Sequence, residues 1–384
     1  MENSLPVAAT KESSSSSSSS SLPTLPFDLI PEILSRLPVK FLLQFRCVCK
    51  SWKYLISDPK FAKKHLTLST THTLHCKNYS DNEHVLLKSY SLDDSVLTNI
   101  TQTQFSSKDT CLFFVGSCDG ILCFVSDFED SQGVDYLIIQ LWNPSIRKFK
   151  ELPSTNCPQD YHGFIYGFGY DLISHNYKVV IVFNNCDERS DFLSENEVKV
   201  HTLGTDSWKT VSQFPFPIVS GQRSGQHVNG TINWSVSTGI KRFIVSFDLG
   251  NECYQELSLP NDDSGEEGRN TFQLNVFRDC LCIIFGEDFW VMKEYGKKKS
   301  WTKLFTISCV REPWASSYPF IRAIRVLEDE QVLLLAYYRR DKRWEWENRW
   351  RYVSYNGKND TSNLIEFDVE IPKFCVESLI SPCS

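Results

Sequence analysis

His72, His75 and Cys76 lie close together and carry the nitrogen and sulfur donors that a soft divalent metal takes. A closed four-ligand site needs a second donor pair, and none stands near them. The 14 cysteines are scattered singly or as C-x-C at Cys47/Cys49 and Cys280/Cys282, never as C-x-x-C, which points away from a zinc framework and from a dithiol redox motif. Cys375 and Cys383 sit where a thioester-forming enzyme could keep its nucleophile, but nothing around them in sequence would lower a thiol pKa. Gly167-Phe168-Gly169 has no helix pattern after it, so it does not read as a phosphate loop. The acidic run from Asp262 to Glu267 lacks the alternating oxygen ligands of a calcium loop. No G-x-S-x-G is present. These negatives predict a chain without catalytic residues, cofactor or metal. One segment remains, Arg339 to Arg351, in which Arg339, Arg340, Arg343, Trp344 and Trp346 interleave cations with indoles. Such a run could grip a protein target or stack on bases, and it could equally be two strands with charges paired across a hairpin.

The elements that would position these residues change character along the chain. Nine consecutive serines, Ser13 to Ser21, bury nothing and predict a disordered tail over 1–22. From Leu25 to Phe61 the spacing predicts two helices. Asp28 is the expected N-cap of the first, whose Ile30, Ile33, Leu34 and Leu37 form one apolar stripe that Pro38 ends. The second carries Leu42, Phe45, Val48, Cys49, Trp52 and Ile56. Together with Leu25, Pro26 and Leu43, these are more apolar side chains than a helical hairpin can hide internally, and an exposed patch of that size marks a partner site. Packing against the rest of the chain is the competing reading from periodicity alone.

After about residue 67 helical spacing gives way to short apolar runs between turn signals. Tight turns at Asp119-Gly120, Asn229-Gly230, Asp279 and Asp329, and a looser one from Gly169 to Asn176, join very apolar strands. Between them lie wider hairpins that reach an aromatic, often followed by a Leu-Pro-like stop: Trp142 to Pro153, His201 to Trp208, Asp248 to Pro260 and Lys293 to Trp301. The two kinds alternate about every 50 residues, the period of a four-stranded blade that buries its faces by stacking around an axis. Residues 111–368 hold five such units. The segment near Val85 could pair with the run after Phe374 to close a sixth and remove a dangling edge.

Composition agrees with a strand-rich body: of 384 residues 41% are hydrophobic and 13% aromatic, with 26 Phe and 15 Tyr against 2 Met. A formal net charge of −7 argues against life on nucleic-acid phosphate. No apolar run is long enough to suggest a membrane span. Reduced, largely apolar cysteines without a secretory leader point to the cytoplasm and/or the nucleus.

Leu25-Pro26, Ile33 to Lys40 and Cys47 to Trp52 resemble a plant F-box. Gly167 to Asp171, Leu203 to Trp208, Val228 to Gly230, Trp290 to Gly296 and Val376 to Leu379 resemble the F-box-associated, kelch-like interaction domain that follows it in plant F-box proteins. The layout is also similar to that of S-locus F-box proteins. Phe41 and Gln44 depart from the family's usual Ser and Arg, which would remove a cap from the second helix, and the double glycine of true kelch repeats is missing. The resemblance implies a Ser-rich tail (1–22), a small all-α F-box helical hairpin (23–66) and an all-β propeller-like domain of about six four-stranded blades (67–384). It also implies a non-catalytic substrate receptor of a cullin–RING ubiquitin ligase. The F-box would bind the Skp-type linker, and through it the cullin and RING subunits, using Leu25, Pro26, Ile30, Ile33, Leu34, Leu37, Pro38, Leu42, Leu43, Val48 and Trp52. The β-domain would hold an unknown target protein. A scaffold acting outside a ligase, an RNA-binding propeller using the Arg/Trp segment, and a propeller enzyme remain the alternatives.

Overall fold

The computed structural model describes residues 26, 28–69, 72–79, 84–93, 96–106, 112–159, 161, 163–184, 196–216, 223–237, 242–260, 272–285, 288–306, 320–326, 331–342, 345–356, 359, 361–365 and 373–383. Across 72–106, 320–355 and 361–374 the description is of the backbone.

Four short helices come first: α1 (Leu29–Leu34), α2 (Val39–Phe45), α3 (Lys50–Ser57) and α4 (Pro59–Leu68). Pro38, in extended backbone with ψ 146°, separates α1 from α2, and its carbonyl accepts from the Phe41 and Leu42 N–H groups. The run from Leu42 to Ile56, expected as one helix, is two. The chain turns at Arg46–Val48 and Cys49 is extended, at φ −157° and ψ 166°. Cys47, Val48 and Cys49 are weak helix formers, and the break lets Phe45 meet Trp52 edge-on with centroids 5.5 Å apart. Asp28 stands at the N-cap position of α1 but makes no side-chain cap. Helix α2 starts at Val39, so Phe41 lies in its first turn and costs no cap. The capped helix is α4, which the sequence spacing did not separate. Asp58 Oδ1 accepts from Lys60 N–H at 2.7 Å, with Pro59 just inside the start.

The rest is strand. β1 (His72–Tyr79), β2 (His84–Asp93) and β3 (Val96–Ser106) lead. Then come β4 (Leu112–Cys118), β5 (Ile121–Glu129), β6 (Asp135–Asn143), β7 (Lys148–Glu151) and β8 (Thr155–Asn156). A second group is β9 (Gly163–Asp171), β10 (Asn176–Asn184), β11 (Asn196–Thr202) and β12 (Trp208–Phe214). A third is β13 (Gln226–Val228), β14 (Thr231–Ser237), β15 (Arg242–Asp248) and β16 (Tyr254–Leu257). A fourth is β17 (Phe272–Phe277), β18 (Cys280–Phe285), β19 (Asp288–Met292) and β20 (Trp301–Thr306). The last strands are β21 (Phe320–Val326), β22 (Gln331–Lys342), β23 (Glu345–Asn356), β24 (Thr361–Ile365) and β25 (Lys373–Val376).

They form six antiparallel sheets. Four run in simple chain order, β9 to β12, β13 to β16, β17 to β20 and β21 to β24; a fifth holds β4 to β7 with β8 beside β6. The sixth has the order β25-β1-β2-β3, with His72 opposite Val376 and His75 opposite Lys373. The chain's last strand therefore closes the sheet that its first strands began, as expected. The strand it pairs with is β1, while the Val85 segment is β2, one position further out. First strands of successive sheets are neighbours in the order β4, β9, β13, β17, β21, β25 and back to β4, which is a propeller-like arrangement.

Turn chemistry sets the hairpins. Asp119-Gly120 (φ 51° and 82°) and Asn229-Gly230 (φ 49° and 76°) have the left-handed backbone that two-residue hairpins need, and Arg278-Asp279 (φ 46° and 58°) achieves it without glycine. Apolar clusters fill the space between sheets. Val125, Ile139 and Phe168 join the first two groups, Val180, Trp234 and Phe247 the next two, and Ile244, Leu274 and Ile283 the third and fourth. Gly167 and Gly169 belong to this packing: an added Cβ would lie 2.3 Å from Ile232 and 2.2 Å from His227. Two of the aromatics that end the wide hairpins also bridge sheets. Trp208 Nε1 donates to Pro153 O at 2.7 Å, and Trp301 Nε1 to Ser258 O at 2.9 Å, so the Leu-Pro stops are the acceptor segments of the neighbouring sheet.

Candidate partner-binding site

The helices pack around their own small core of Leu34, Leu42, Ile56 and Phe61, with Ile30, Leu37, Phe45, Trp52 and Leu55 partly covered against it. One side of this unit then docks on the β-domain through α4. Ala62 and Leu66 enter the cluster between the first two sheets, and Leu379 of the C-terminal segment touches both clusters. Lys63 Nζ donates to the Tyr170 hydroxyl at 2.7 Å and lies 5.0 Å from the ring centroid. Ser69 Oγ donates to Glu377 O at 3.2 Å. Within the unit, Lys64 pairs with Glu32, whose carboxyl its hydrogen bond and charge hold below the usual range, and tethers α4 to α1. His65 is buried, with Nε2 2.9 Å from Leu37 O, and burial depresses its pKa.

Other parts of the helical unit are uncovered. Leu29 is 47% exposed, Ile33 46%, Phe41 46%, Val48 62% and Tyr54 77%, with Pro26 and Pro38 exposed beside them. Lys40, Lys50 and Lys53 are exposed on the same helices, and Arg36 on the turn after α1. Between Arg46 and Lys50, Cys49 is exposed, and hydrogen bonds from the Ser51 side chain and the Trp52 N–H hold its thiol below the ordinary value. Exposed apolar side chains accompanied by exposed basic ones suit a protein partner.

Of the residues expected to face a partner, Pro26, Ile33, Pro38 and Val48 are exposed, while Ile30, Leu37, Leu43 and Trp52 are half-buried. Leu34 and Leu42 are corrected: at 2% and 0% exposed they are the core on which the surface rests. The break at Arg46–Val48 and the added helix α4 enclose them, whereas an open two-helix hairpin would have left them outside. Leu25 lies outside the described residues. Leu29, Phe41 and Tyr54 were not anticipated. Leu29 falls one position before the stripe, and Phe41 on the side of α2 away from Leu42, so a search for partner-facing positions off the core stripe would have found both. In the Arg/Trp segment, Arg339, Arg340 and Trp346 lie on β22 and β23, and Arg343 and Trp344 fall between the described strands.

Of the sites weighed for chemistry, the acidic run from Asp262 to Glu267 lies outside the described residues. His72 and His75 are an odd number of residues apart on β1, which puts them on opposite faces of that strand. Among the described residues no three His, Cys, Asp or Glu side chains are grouped to hold a metal. Cys375 is buried, and burial pushes its thiol up, away from a nucleophile's range. No helix among the described residues is long and apolar enough to cross a membrane.

Comparison with known proteins matches the helical part to a family described as the F-box domain, over residues 22–64, and the sheets to the F-box associated beta propeller domain, over residues 72–358. The chain is a plant F-box protein. Similar F-box proteins include three from Arabidopsis thaliana. F-box/kelch-repeat protein At3g23880 is 32% identical over 76% of this chain and 83% of its own. F-box protein At3g07870 is 28% identical over 82% of this chain and 83% of its own, and F-box protein CPR1 is 28% identical over 81% and 79%. The exposed helical surface therefore falls within the F-box, and strands β1 to β23 within the F-box-associated propeller.

Proposed function

We propose that this F-box protein is the substrate-recognition subunit of a cullin–RING ubiquitin ligase of the F-box type. Its F-box would hold the Skp-type linker, and through it the cullin and RING subunits, while the β-domain holds a target protein for ubiquitination and proteasomal degradation. The observation that carries this reading is the set of F-box side chains left bare after α4 has docked: Leu29, Ile33, Phe41, Val48 and Tyr54. Burying large apolar side chains there would supply about 1.5–3 kcal/mol each before ordering costs. The chain's own part is proximity rather than chemistry. It would bring target and charged conjugating enzyme into one assembly, so that transfer becomes effectively intramolecular. Such an adaptor would work in the cytoplasm and/or the nucleus, with no cofactor.

Leu29→Asp combined with Val48→Asp should lower affinity for a purified Skp-type linker by about a hundredfold or more, on the scale of losing interface anchors. The melting temperature of the β-domain should not move. Leu25→Ala with Pro26→Ala should act in the same direction. Undiminished co-purification with the linker in the first double variant would remove the reading.

A further inference from the structure

The hairpin of β22 and β23 is longer than the sheet it belongs to. Its two strands pair without a break from Gln331–Asn356 to Lys342–Glu345. Among the described residues the flanking strands are shorter. β21 begins at Phe320, opposite Tyr337, and β24 ends at Ile365, opposite Tyr352. Residues 338–342 and 345–351 thus form a two-stranded arm, and among the described residues no strand pairs with either of its outer edges. At about 3.3 Å per residue the arm runs some 15 Å past its neighbours. The comparable overhang of β5 and β6 has β8 paired along β6 at Tyr136 and Leu137.

The arm's direction follows from strand alternation. The turns joining first to second strands, such as Asp119-Gly120 and Leu172–His175, lie at one end of the sheets, and the links from second to third strands lie at the other. The F-box docks at the first end, through Lys63 on Tyr170 and Ser69 on Glu377 beside Gly120's neighbour Ser378. The β22–β23 link is of the second kind, so the arm overhangs the propeller end away from the F-box.

Register sorts the charges onto the two edges. Arg340 is opposite Glu347 and Lys342 opposite Glu345, while Arg339 is opposite Asn348 and Asp341 opposite Trp346. The β22 edge therefore carries Arg339, Arg340 and Lys342 against the single Asp341, a net positive edge, whereas on the β23 edge Glu345 and Glu347 are balanced by Arg349 and Arg351. An unpaired strand edge is a ready template for another strand, and proteins usually shorten, cover or kink it. Here it is long and positively charged in a chain of net charge −7.

We propose that the β22 edge of this arm is where the target docks, as an extended acidic segment that adds a strand beside Tyr338–Lys342. Main-chain hydrogen bonds would give that segment its affinity. Asp and Glu at alternate positions would fall at the register positions of Arg340 and Lys342, and the residues between them at the positions that Arg339 shares across the hairpin with Trp346 and Trp350. Interleaved Asp341, Glu345 and Glu347 oppose a phosphate backbone, which sets a protein segment ahead of RNA. The proposal rests on the substrate-receptor reading and names the chemistry of what it receives.

The test uses the full chain bound to the Skp-type linker, selected against a library of random twelve-residue peptides, with single-stranded poly-U RNA run in parallel. The expected result is enrichment of peptides rich in Asp and Glu. Their binding should fall about tenfold or more with Arg339→Glu plus Arg340→Glu, weaken with added salt, and be lost when residues 339–348 are replaced by Asn-Gly. Arg349→Glu, on the other edge, should leave it within about twofold. Acidic peptides that bind the shortened chain equally well would overturn the proposal, as would the absence of acidic enrichment on a folded, linker-bound protein. Binding of poly-U through the arm in place of peptide would overturn it too. Loss of linker binding with peptide binding intact would instead strike the ligase reading and leave the arm standing.

Discussion

At the scale of single residues, the distinction that matters in the F-box is between side chains that build its surface and side chains that are its surface. Leu42 is fully buried beside Leu34, Ile56 and Phe61, and Val48 is mostly in solvent. Leu42→Ala should therefore cost about 2–5 kcal/mol in stability of the helical unit, as a core truncation does. Val48→Ala should leave stability within about 0.5 kcal/mol while weakening the linker. Chemical denaturation followed by intrinsic fluorescence would separate the two, and equal destabilisation by both would contradict the exposure assigned to Val48. The sequence displayed all these residues but could not divide them. Ile33 and Leu34 are adjacent members of one apolar stripe, and only the docking of α4 decides that Leu34 is enclosed and Ile33 is not. The missed Leu29, Phe41 and Tyr54 have the same cause, because exposure is a property of what packs on a helix rather than of the helix.

At the scale of elements, the sheets were legible and the helices only partly so. Asp119-Gly120 and Asn229-Gly230 announce hairpins because a two-residue turn demands a backbone that few residues adopt. The helical break at Cys49 has only a weak signal, the low helix propensity of Cys47, Val48 and Cys49, because apolar spacing continues straight through it. The C-terminal segment is the other element whose role lay beyond its motif. After β25 it crosses the ends of neighbouring elements. Asn143 Nδ2 donates to Ser378 O at 3.0 Å and Ile380 O at 2.7 Å, Ser69 Oγ donates to Glu377 O, and Leu379 sits between helices and sheets. Removing residues 377–383 should therefore loosen the F-box from the propeller. Limited proteolysis should then cut near Ser69 to His72 several times faster, with linker binding retained. An unchanged cleavage rate would show that α4 alone holds the two parts.

At the scale of the whole molecule, several buried titratable groups have shifted protonation, which links acidity to stability. His65, His201 and His227 all have pKa values that burial depresses. Each binds its proton more readily in the unfolded chain, so acid favours unfolding, and stability should decline as pH falls through the ordinary imidazole value of about 6.5. Asp171 acts in a lower window. Burial alone would raise its carboxyl, but hydrogen bonds from Ser174, the Ile173 N–H and Lys178, with the Lys178 charge, outweigh it and hold it down to about 2. Its contribution is present at neutral pH and is lost only as pH falls through about 4 toward 2. Melting temperatures measured from pH 8 to pH 5 should fall steadily, and His65→Gln with His227→Gln should flatten the slope. A curve that stays level over that range would contradict the neutral, buried state of these rings. The pairing of β25 with β1 has a further consequence, for synthesis. The ribosome delivers His72–Tyr79 roughly 300 residues before the strand that completes their sheet, a delay of about 15–60 seconds at ordinary elongation rates. A nascent or prematurely terminated chain can therefore carry the whole F-box sequence and yet lack the strand that pairs with β1, which leaves that sheet with an open edge until synthesis nears its end.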